Sequence, residues 1–206
     1  IALKCAVSAD GKIAERKGEK CVITGKKARA DVMKWRALFP SIGVGSATVV
    51  ADDPALSVRP EGGVEFCKKR FVFNSTLSLA DFHSKRNLKS LKIFGDGFSQ
   101  NTKIVCALDA DEKKEDMLRR MGIEVLRIEA SRKNEREFWE AFKKKICAEE
   151  KVSGILIEGG AGVFKSLCAA QAADWAFIYS SKKTLGKGAL AAFENGKNFS
   201  IDGAET

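Results

Sequence analysis

The sequence predicts an α/β domain built on a mostly parallel sheet. Apolar segments of strand length alternate with segments whose apolar residues recur at helical spacing, and a parallel sheet with crossover helices requires that order. The chain has 206 residues, of which 45% are hydrophobic and 31% are charged. Because this length and composition supply one sizeable core, we expect residues 1–206 to form a single domain.

A strand and a helix open the predicted order. Residues 2–8 form a strand that ends at an Asp-Gly turn. The segment KKARADVMKWRALF predicts a helix, and Thr24 or Gly25 caps its amino end. Its apolar residues recur at helical spacing, at Ala28, Val32, Trp35 and Leu38.

A strand followed by small residues comes next. Residues 42–44 form a short strand, and after the small residues GSA the sequence predicts an acidic turn that ends at Pro54. Small residues after a strand allow a ligand to approach the backbone, so this strand marks a candidate site. Further strands are predicted, in chain order, at KRFVFNS, KIFGD, TKIVCALD and IEVLRIEA. A short helix over residues 116–121 precedes the last of them.

The last third of the chain contains the clearest strand-to-helix junction. An amphipathic helix over residues 133–150 precedes the buried strand GILIEGG, which leads directly into the helix AGVFKSLCAAQAA. Gly159, Gly160 and Gly162 lie at this junction, where unpaired N–H groups and the helix dipole suit an anion such as phosphate. Close packing of the strand against the helix explains the same glycines equally well. A final strand is predicted at AFIYSS.

Charge and cysteine content narrow the classes of protein. The formal net charge is +9, but the basic groups lack interleaved aromatic residues, so we expect no nucleic-acid partner. A positive field favours phosphorylated small molecules as ligands. No apolar run reaches the roughly 18 residues of a membrane span, so we expect no membrane partner. The six cysteines occur singly, which predicts reduced thiols in the cytoplasm and no metal site.

Carboxylates follow the small residues that end the strand over residues 42–44. Adjacent side chains point in different directions, so Asp52 and Asp53 do not form a catalytic acid and base pair. They cap a turn or accept hydrogen bonds from a polar ligand, and the spacing leaves both roles open. Arg36 and Arg59 are candidates for binding a phosphate group, because guanidinium groups bind phosphate through paired hydrogen bonds.

Four segments resemble a known family when they are taken together and in order. They are LKCAVSADGKIA, VITGKKARADVMKWRA and GSATVVADDPALSVR near the start, and ILIEGGAGVFKSL much later. They are similar to the reductase domain of the bacterial deaminase-reductase of riboflavin synthesis. The resemblance is close over residues 1–60 and clear over residues 154–190, whereas residues 61–150 agree only in the order of strands and helices.

The resemblance implies both a fold and an activity. The fold is similar to that of dihydrofolate reductase, a three-layer α/β/α domain around a central mixed, mostly parallel sheet. The activity is the NADPH-dependent reduction of 5-amino-6-(5-phosphoribosylamino)uracil, in which hydride passes to the C1′ carbon of the opened ribosylamino group. NADPH and this phosphorylated pyrimidine are therefore the implied cofactor and substrate, and a homodimer is the implied assembly.

The resemblance also assigns roles to individual residues. Lys4 and Glu158 match two polar positions of the family that lie at the substrate, and we expect them to be the catalytic pair that orients the ribose hydroxyls and assists proton movement. Substrate contacts are implied at Arg36, Asp52, Leu56 and Arg59. NADPH contacts are implied at Val7, Ser8, Thr48, Asp52, Gly160, Ala161, Gly162, Val163 and Ser166.

The sequence departs from the family at several places. Val22 stands where the family has tryptophan, so a ring that packs on the cofactor or substrate is missing. The segment FNS over residues 73–75 stands where the family often has Val-Asp-Ser, which retains hydrogen bonding and loses a charge. The family's terminal hairpin is not evident after residue 195.

The zinc motif of the deaminase domain is a further departure, because it is absent from this sequence. We therefore expect no deamination by these residues. The first residue, Ile1, is not methionine, and we expect the natural polypeptide to be longer, with room for a deaminase domain before it.

Three alternatives to this activity stay open. The undeaminated diaminopyrimidinone is an alternative substrate, because the order of deamination and reduction differs among family members. A pterin reductase of the same fold is a second alternative, although its expected tryptophan and acidic residues are not apparent. A non-catalytic ligand-binding domain is a third, and Val22 in place of tryptophan favours it.

Overall fold

The structure is a computed structural model that describes residues 1–16, 18–19, 21–83 and 86–191. Over these residues the strands are β1 (Ala2–Val7), β2 (Lys12–Ala14), β3 (Ser41–Gly45), β4 (Lys69–Phe73), β5 (Thr102–Cys106), β6 (Glu124–Arg127), β7 (Leu156–Glu158), β8 (Trp175–Ser180) and β9 (Leu190–Ala191). The helices are α1 (Lys26–Leu38), α2 (Ser46–Asp52), α3 (Ser78–His83), α4 (Lys92–Gly95), α5 (Glu112–Arg120), α6 (Glu135–Ala148) and α7 (Ala161–Ala170). None of these helices is long and apolar enough to cross a membrane.

Seven of the described strands form one sheet, and every pairing between them is parallel. Their order across the sheet is β6-β5-β4-β3-β7-β1-β8. β2 and β9 pair antiparallel in a separate two-stranded ribbon. Helices cover both faces of the large sheet, as parallel strands joined by crossover helices require. The predicted three-layer α/β/α fold with a mostly parallel sheet is confirmed.

Two hydrophobic cores lie on opposite faces of the sheet. One core packs α6 and α7 against the sheet and contains an aromatic cluster of Phe71, Phe73, Phe138, Trp139 and Phe142. Within this cluster the ring centroid of Phe73 lies 4.9 Å from that of Trp139 and 5.0 Å from that of Phe142. Tilted and edge-on aromatic pairs contribute about 0.5–1.5 kcal/mol each beyond the area that they bury. The other core packs α2, α3 and α5 against the opposite face.

Two predicted elements are wrong. The segment KIFGD forms the single-turn helix α4 and not a strand, although its apolar residues Ile93 and Phe94 are both buried. A short apolar run does not distinguish the two conformations. The acidic turn predicted before Pro54 is helix α2. Val49 at its centre is buried in the core, and the helix ends at Asp53, which has a left-handed φ of 45°.

The observed ends of α1 and α5 can be compared with the predicted ones. α1 begins after Gly25, which is its N-cap, and its last residue, Leu38, is 71% exposed in spite of its place in the apolar repeat. α5 begins at Glu112, earlier than predicted, because the Asp111 side chain caps it by accepting a hydrogen bond from the backbone N–H of Lys113. The stretch after residue 195, where the sequence shows no evident hairpin, lies outside the described residues.

Arg70 is a completely buried cation that ties loops to the middle of the sheet. Its two terminal nitrogens donate to the two carboxylate oxygens of Asp96, at 2.6 and 2.9 Å. Its Nε donates to Thr102 Oγ1 at 2.8 Å. The terminal nitrogens also donate to the backbone carbonyls of Ala55, Ile93 and Phe98. The charge is therefore paired and hydrogen-bonded, as burial requires.

We expect Arg70→Met to lower the free energy of unfolding by about 3–5 kcal/mol, because it leaves the Asp96 carboxylate and several carbonyls without their donor. Urea unfolding followed by circular dichroism measures the change. Arg136→Met is the matched control, since exposed Arg136 pairs with Glu140 on the same helix and contributes under about 0.5 kcal/mol. Equal losses in the two variants would contradict a structural role for Arg70.

Candidate active-site cleft

A large cleft of about 1630 Å³ lies at the carboxyl ends of the central strands. Lys4 of β1, Gly45 at the end of β3 and Glu158 at the end of β7 form part of its wall. α2 follows β3 directly and α7 follows β7 after two glycines, so both helices begin at the cleft. Open parallel sheets bind their ligands in this position, outside the carboxyl ends of the strands.

The two residues that were predicted to be catalytic are neighbours across the sheet. β1 and β7 are parallel, and Lys4 is the register partner of Glu158. Register partners point to the same face of a sheet, so strand pairing places the amine and the carboxylate side by side. Both residues line the cleft.

Glu158 is held by a second cation, Arg36 of α1. Arg36 Nε donates to Glu158 Oε1 at 2.5 Å, and Arg36 Nη2 donates to Oε2 at 2.9 Å. Arg36 Nη1 donates to the backbone carbonyl of Ser57 at 3.0 Å. The pair is buried, because only 9% of Arg36 and 7% of Glu158 is exposed. Burial alone would lower the pKa of Arg36, but the charge and hydrogen bonds of Glu158 outweigh burial and raise that pKa, so the guanidinium stays charged.

Most residues that the resemblance assigns to ligands line the cleft. They are Arg36, Asp52 and Arg59 for the substrate, and Thr48, Asp52, Gly160, Ala161, Gly162, Val163 and Ser166 for the cofactor. The other three lie outside this lining. Leu56 is buried in the core beside α2. Val7 pairs with Ser180 on β8, and Ser8 is buried and donates to Asp10 Oδ1 at 2.6 Å.

Two glycines shape the junction between β7 and α7. Gly159 has a φ of 75° and Gly160 a φ of 102°, values that other residues rarely adopt. A Cβ atom at Gly160 would lie 3.2 Å from Thr48 Oγ1, and one at Gly159 would lie 3.3 Å from Thr48 Cγ2. Gly160 is also the N-cap of α7, and because it has no side chain it makes no side-chain hydrogen bond to the first N–H groups of that helix. The junction therefore needs glycine for close packing, and its N-cap residue leaves the first N–H groups of α7 uncapped by a side chain of its own.

Some residues that shape the cleft were not predicted. Asn74, which follows β4, donates to Ser46 Oγ at 3.1 Å and to Ser78 Oγ at 2.9 Å, and so fixes the start of α2 to the start of α3. Trp139 Nε1 of α6 donates to Ser166 Oγ of α7 at 2.9 Å. The sequence marked Asn74 only as a departure from the family, and Trp139 carried no signal beyond its place in an amphipathic helix.

Val22 lies in the wall of the cleft, and 58% of it is exposed. The family has tryptophan at this position, which would cover far more apolar surface. The valine therefore leaves this part of the wall less covered than a tryptophan would.

The fold and the cleft together define a class of protein. It is a three-layer α/β protein with a cleft at the carboxyl edge of a parallel sheet, a helix amino end whose N-cap is glycine, and a lysine beside a buried carboxylate. The family model of the RibD C-terminal domain matches residues 1–200. The chain belongs to the RibD C-terminal domain family.

Relatives match along nearly the whole chain. The riboflavin biosynthesis protein RibD of Bacillus amyloliquefaciens is 29% identical over 199 residues, which are 97% of this chain and 50% of the relative. The structure of Acinetobacter baumannii RibD matches with a TM-score of 0.69 and 25% identity, over 97% of this chain and 50% of that chain. A diaminohydroxyphosphoribosylaminopyrimidine deaminase/5-amino-6-(5-phosphoribosylamino)uracil reductase from Thermotoga maritima matches with a TM-score of 0.65 and 26% identity, over 93% and 47%. The chain thus spans about half the length of these relatives.

We expect Arg36→Met and Glu158→Gln each to lower the free energy of unfolding by about 3–5 kcal/mol, because each leaves a buried group without its partner. The double variant should lose less than the sum of the two, by at least about 1 kcal/mol. Arg29→Met is the matched control, because Arg29 is exposed on the same helix and its loss changes stability by under about 0.5 kcal/mol. Denaturant unfolding of the two single variants and the double variant measures this double-mutant cycle. Strictly additive losses of stability would contradict a direct interaction between Arg36 and Glu158.

Proposed function

We propose that this chain is an oxidoreductase that reduces 5-amino-6-(5-phosphoribosylamino)uracil with NADPH in riboflavin biosynthesis. The observation that carries the proposal is the register pairing of Lys4 with Glu158 at the cleft. Membership of the RibD C-terminal domain family supports it, and so does the reductase named in the Thermotoga maritima relative.

The amino end of α7 fits the pyrophosphate of a dinucleotide. Gly160 presents no side chain there, and the first turn of α7 contains no acidic residue that would repel an anion. Residues at this end of the cleft would hold NADPH, namely Thr48, Gly160, Ala161, Gly162, Val163 and Ser166. When bound, NADPH supplies the hydride that reduces C1′ of the substrate.

The chain's own residues orient the substrate and move a proton. Lys4 donates hydrogen bonds to the ribose hydroxyls and assists proton movement at the opened ribosylamino group. Glu158 accepts hydrogen bonds from the same hydroxyls, because each carboxylate oxygen keeps a second lone pair beside its bond to Arg36. Asp52 and Arg59 contact the ring and the phosphate. Alignment of this kind supplies roughly 7–11 kcal/mol in favourable model systems.

NADPH oxidation with three candidate substrates tests the activity. We expect turnover with 5-amino-6-(5-phosphoribosylamino)uracil and none with dihydrofolate. Turnover only on the undeaminated diaminopyrimidinone would contradict the proposed substrate and reverse the order of deamination and reduction. If none of the three compounds supports NADPH oxidation and the protein still binds NADPH, the proposal is overturned in favour of a non-catalytic binding domain.

A variant of Lys4 provides the control for this assay. We expect Lys4→Met to lower kcat by about 10²–10⁴-fold, because the group that assists proton movement is lost. Lys113→Met is the matched control, since Lys113 is exposed on α5 and its loss should leave kcat within about twofold. An unchanged kcat in Lys4→Met would remove Lys4 from the proposed mechanism.

We also propose that the protein is located in the cytoplasm, and its free thiols support this localisation. All six cysteines are free, and Cys5 and Cys106 are buried. Burial raises the pKa of the Cys5 thiol to about 12 and that of Cys106 to about 11. These two thiols therefore stay protonated and unreactive. Free cysteines without disulfides are typical of proteins in a reducing compartment.

We further propose that the protein forms a homodimer through the edge of the sheet at β8. In the part of the chain that the structure describes, β8 pairs with β1 and with no other strand. Trp175 on β8 is 72% exposed, and exposed aromatic residues are enriched at interfaces. Both features support an interface at this edge.

We expect light scattering at micromolar concentration to give the mass of a dimer, with Trp175→Ser weakening the dimer by about tenfold or more. Val64→Ser is the matched control, because Val64 is 87% exposed on the loop before β4, and β4 is four positions from β8 in the sheet. A monomeric mass for the unaltered protein would contradict the dimer. A dimer that both variants leave intact would contradict the choice of surface.

A further inference from the structure

Lys4 is on β1, which lies between β7 and β8 in the sheet, so side chains of both neighbouring strands flank it. It is the register partner of Glu158 on β7 and of Phe177 on β8. Tyr179 is two residues further along β8, so its side chain lies on the same face as that of Phe177. A carboxylate therefore flanks Lys4 on one side, and two aromatic rings flank it on the other.

Helix α1 contacts both of these flanks. On the side of β7, Arg36 binds the carboxylate of Glu158. On the side of β8, the Trp35 ring stacks on the Phe177 ring, with centroids 4.0 Å apart and an interplanar angle of 29°. One helix thus fixes the neighbours of Lys4 on both strands.

Asp31, one turn earlier on α1, binds Tyr179. The Tyr179 hydroxyl donates to Asp31 Oδ2 at 2.6 Å, and Trp35 Nε1 donates to the same oxygen at 3.2 Å. Burial of the ring and the hydrogen bond and charge of Asp31 raise the pKa of Tyr179. The hydroxyl therefore stays protonated at neutral pH and remains a donor, which fixes the orientation of the ring.

The ammonium of Lys4 lies over this ring. Lys4 Nζ is 5.8 Å from the centroid of Tyr179, within the range of a cation–π interaction. Among the ion pairs of the described residues, the partner of Glu158 is Arg36 and not Lys4. An aromatic face attracts a cation without using its N–H groups, so the three donors of the ammonium remain for a ligand.

We propose that Tyr179 is a positioning residue whose ring holds the Lys4 ammonium beside Glu158, and that Asp31 fixes the ring. The inference rests on the proposed function, in which Lys4 contacts the substrate. Tyr179 and Asp31 act through Lys4 and do not contact the substrate themselves.

Two substitutions of Tyr179 separate the ring from its hydroxyl. Tyr179→Phe keeps the ring and removes the hydrogen bond to Asp31, whereas Tyr179→Leu removes the ring. In protein with ¹³C-labelled lysine, the signal that Lys4→Met abolishes identifies the Hε protons of Lys4. We expect these protons to be shifted upfield by the ring in the unaltered protein and in Tyr179→Phe. In Tyr179→Leu they should move to the position of exposed lysines.

Steady-state kinetics of the same variants gives a second readout. We expect Tyr179→Leu to lower kcat roughly tenfold with an unchanged KM for NADPH, because the ammonium is displaced and not removed. Tyr179→Phe, the conservative variant, should retain kcat within about threefold. Circular dichroism and thermal melting establish that each variant is folded.

The two readouts distinguish failure of this inference from failure of the proposed function. A Lys4 signal that stays shifted in Tyr179→Leu would overturn the inference, whatever the activity. Unaltered protein without reductase activity would overturn the proposed function, and the Lys4 signal would still decide whether the ring holds the ammonium. If Tyr179→Leu does not fold, the unaltered protein decides. Hε protons of Lys4 that lie upfield of those of exposed lysines support the inference, and Hε protons of Lys4 at the position of exposed lysines overturn it.

Discussion

The buried ion pair between Arg36 and Glu158 is the interaction on which the cleft depends. Removing both charges from water is costly, and the cost is offset because two hydrogen bonds join the guanidinium directly to the carboxylate. A third hydrogen bond reaches the backbone carbonyl of Ser57. The pair thus joins α1, the end of β7 and the segment that follows α2. These parts are distant in the sequence, so the contacts that stabilise the fold also assemble the cleft.

The order of strands and helices could be predicted because periodicity is a local property of a sequence. β1 and β3 lie where they were predicted, since each is a short apolar segment followed by turn-forming or small residues. α6 lies where it was predicted, since its apolar residues recur at helical spacing. α2 and α4 could not be predicted in this way. Each is short and is fixed by burial of one or two side chains, Val49 in α2 and Ile93 and Phe94 in α4. Runs of that length do not differ from those of a strand or a turn.

The site could be predicted only in part. The glycines before α7 gave a local signal, because positive φ at Gly159 and Gly160 restricts these positions to glycine. Lys4 and Glu158 are 154 residues apart in the sequence and become neighbours through the pairing of β1 with β7, so only the resemblance to a family could join them. Tyr179 gave no signal at all. Its contact with Lys4 depends on the register of β8 and on the packing of α1, neither of which any local pattern contains.

The Arg36 guanidinium also explains why Lys4 and Glu158, although neighbours, are not paired in the described structure. A planar guanidinium presents two parallel donors that match a carboxylate, whereas an ammonium is a point charge on a flexible stem. Because Arg36 already balances the charge of Glu158, Lys4 is not required as its counter-ion. The ring of Tyr179 then fixes the ammonium without occupying its N–H donors. Separate partners therefore keep an amine and a carboxylate side by side while both retain hydrogen-bonding capacity toward the cleft.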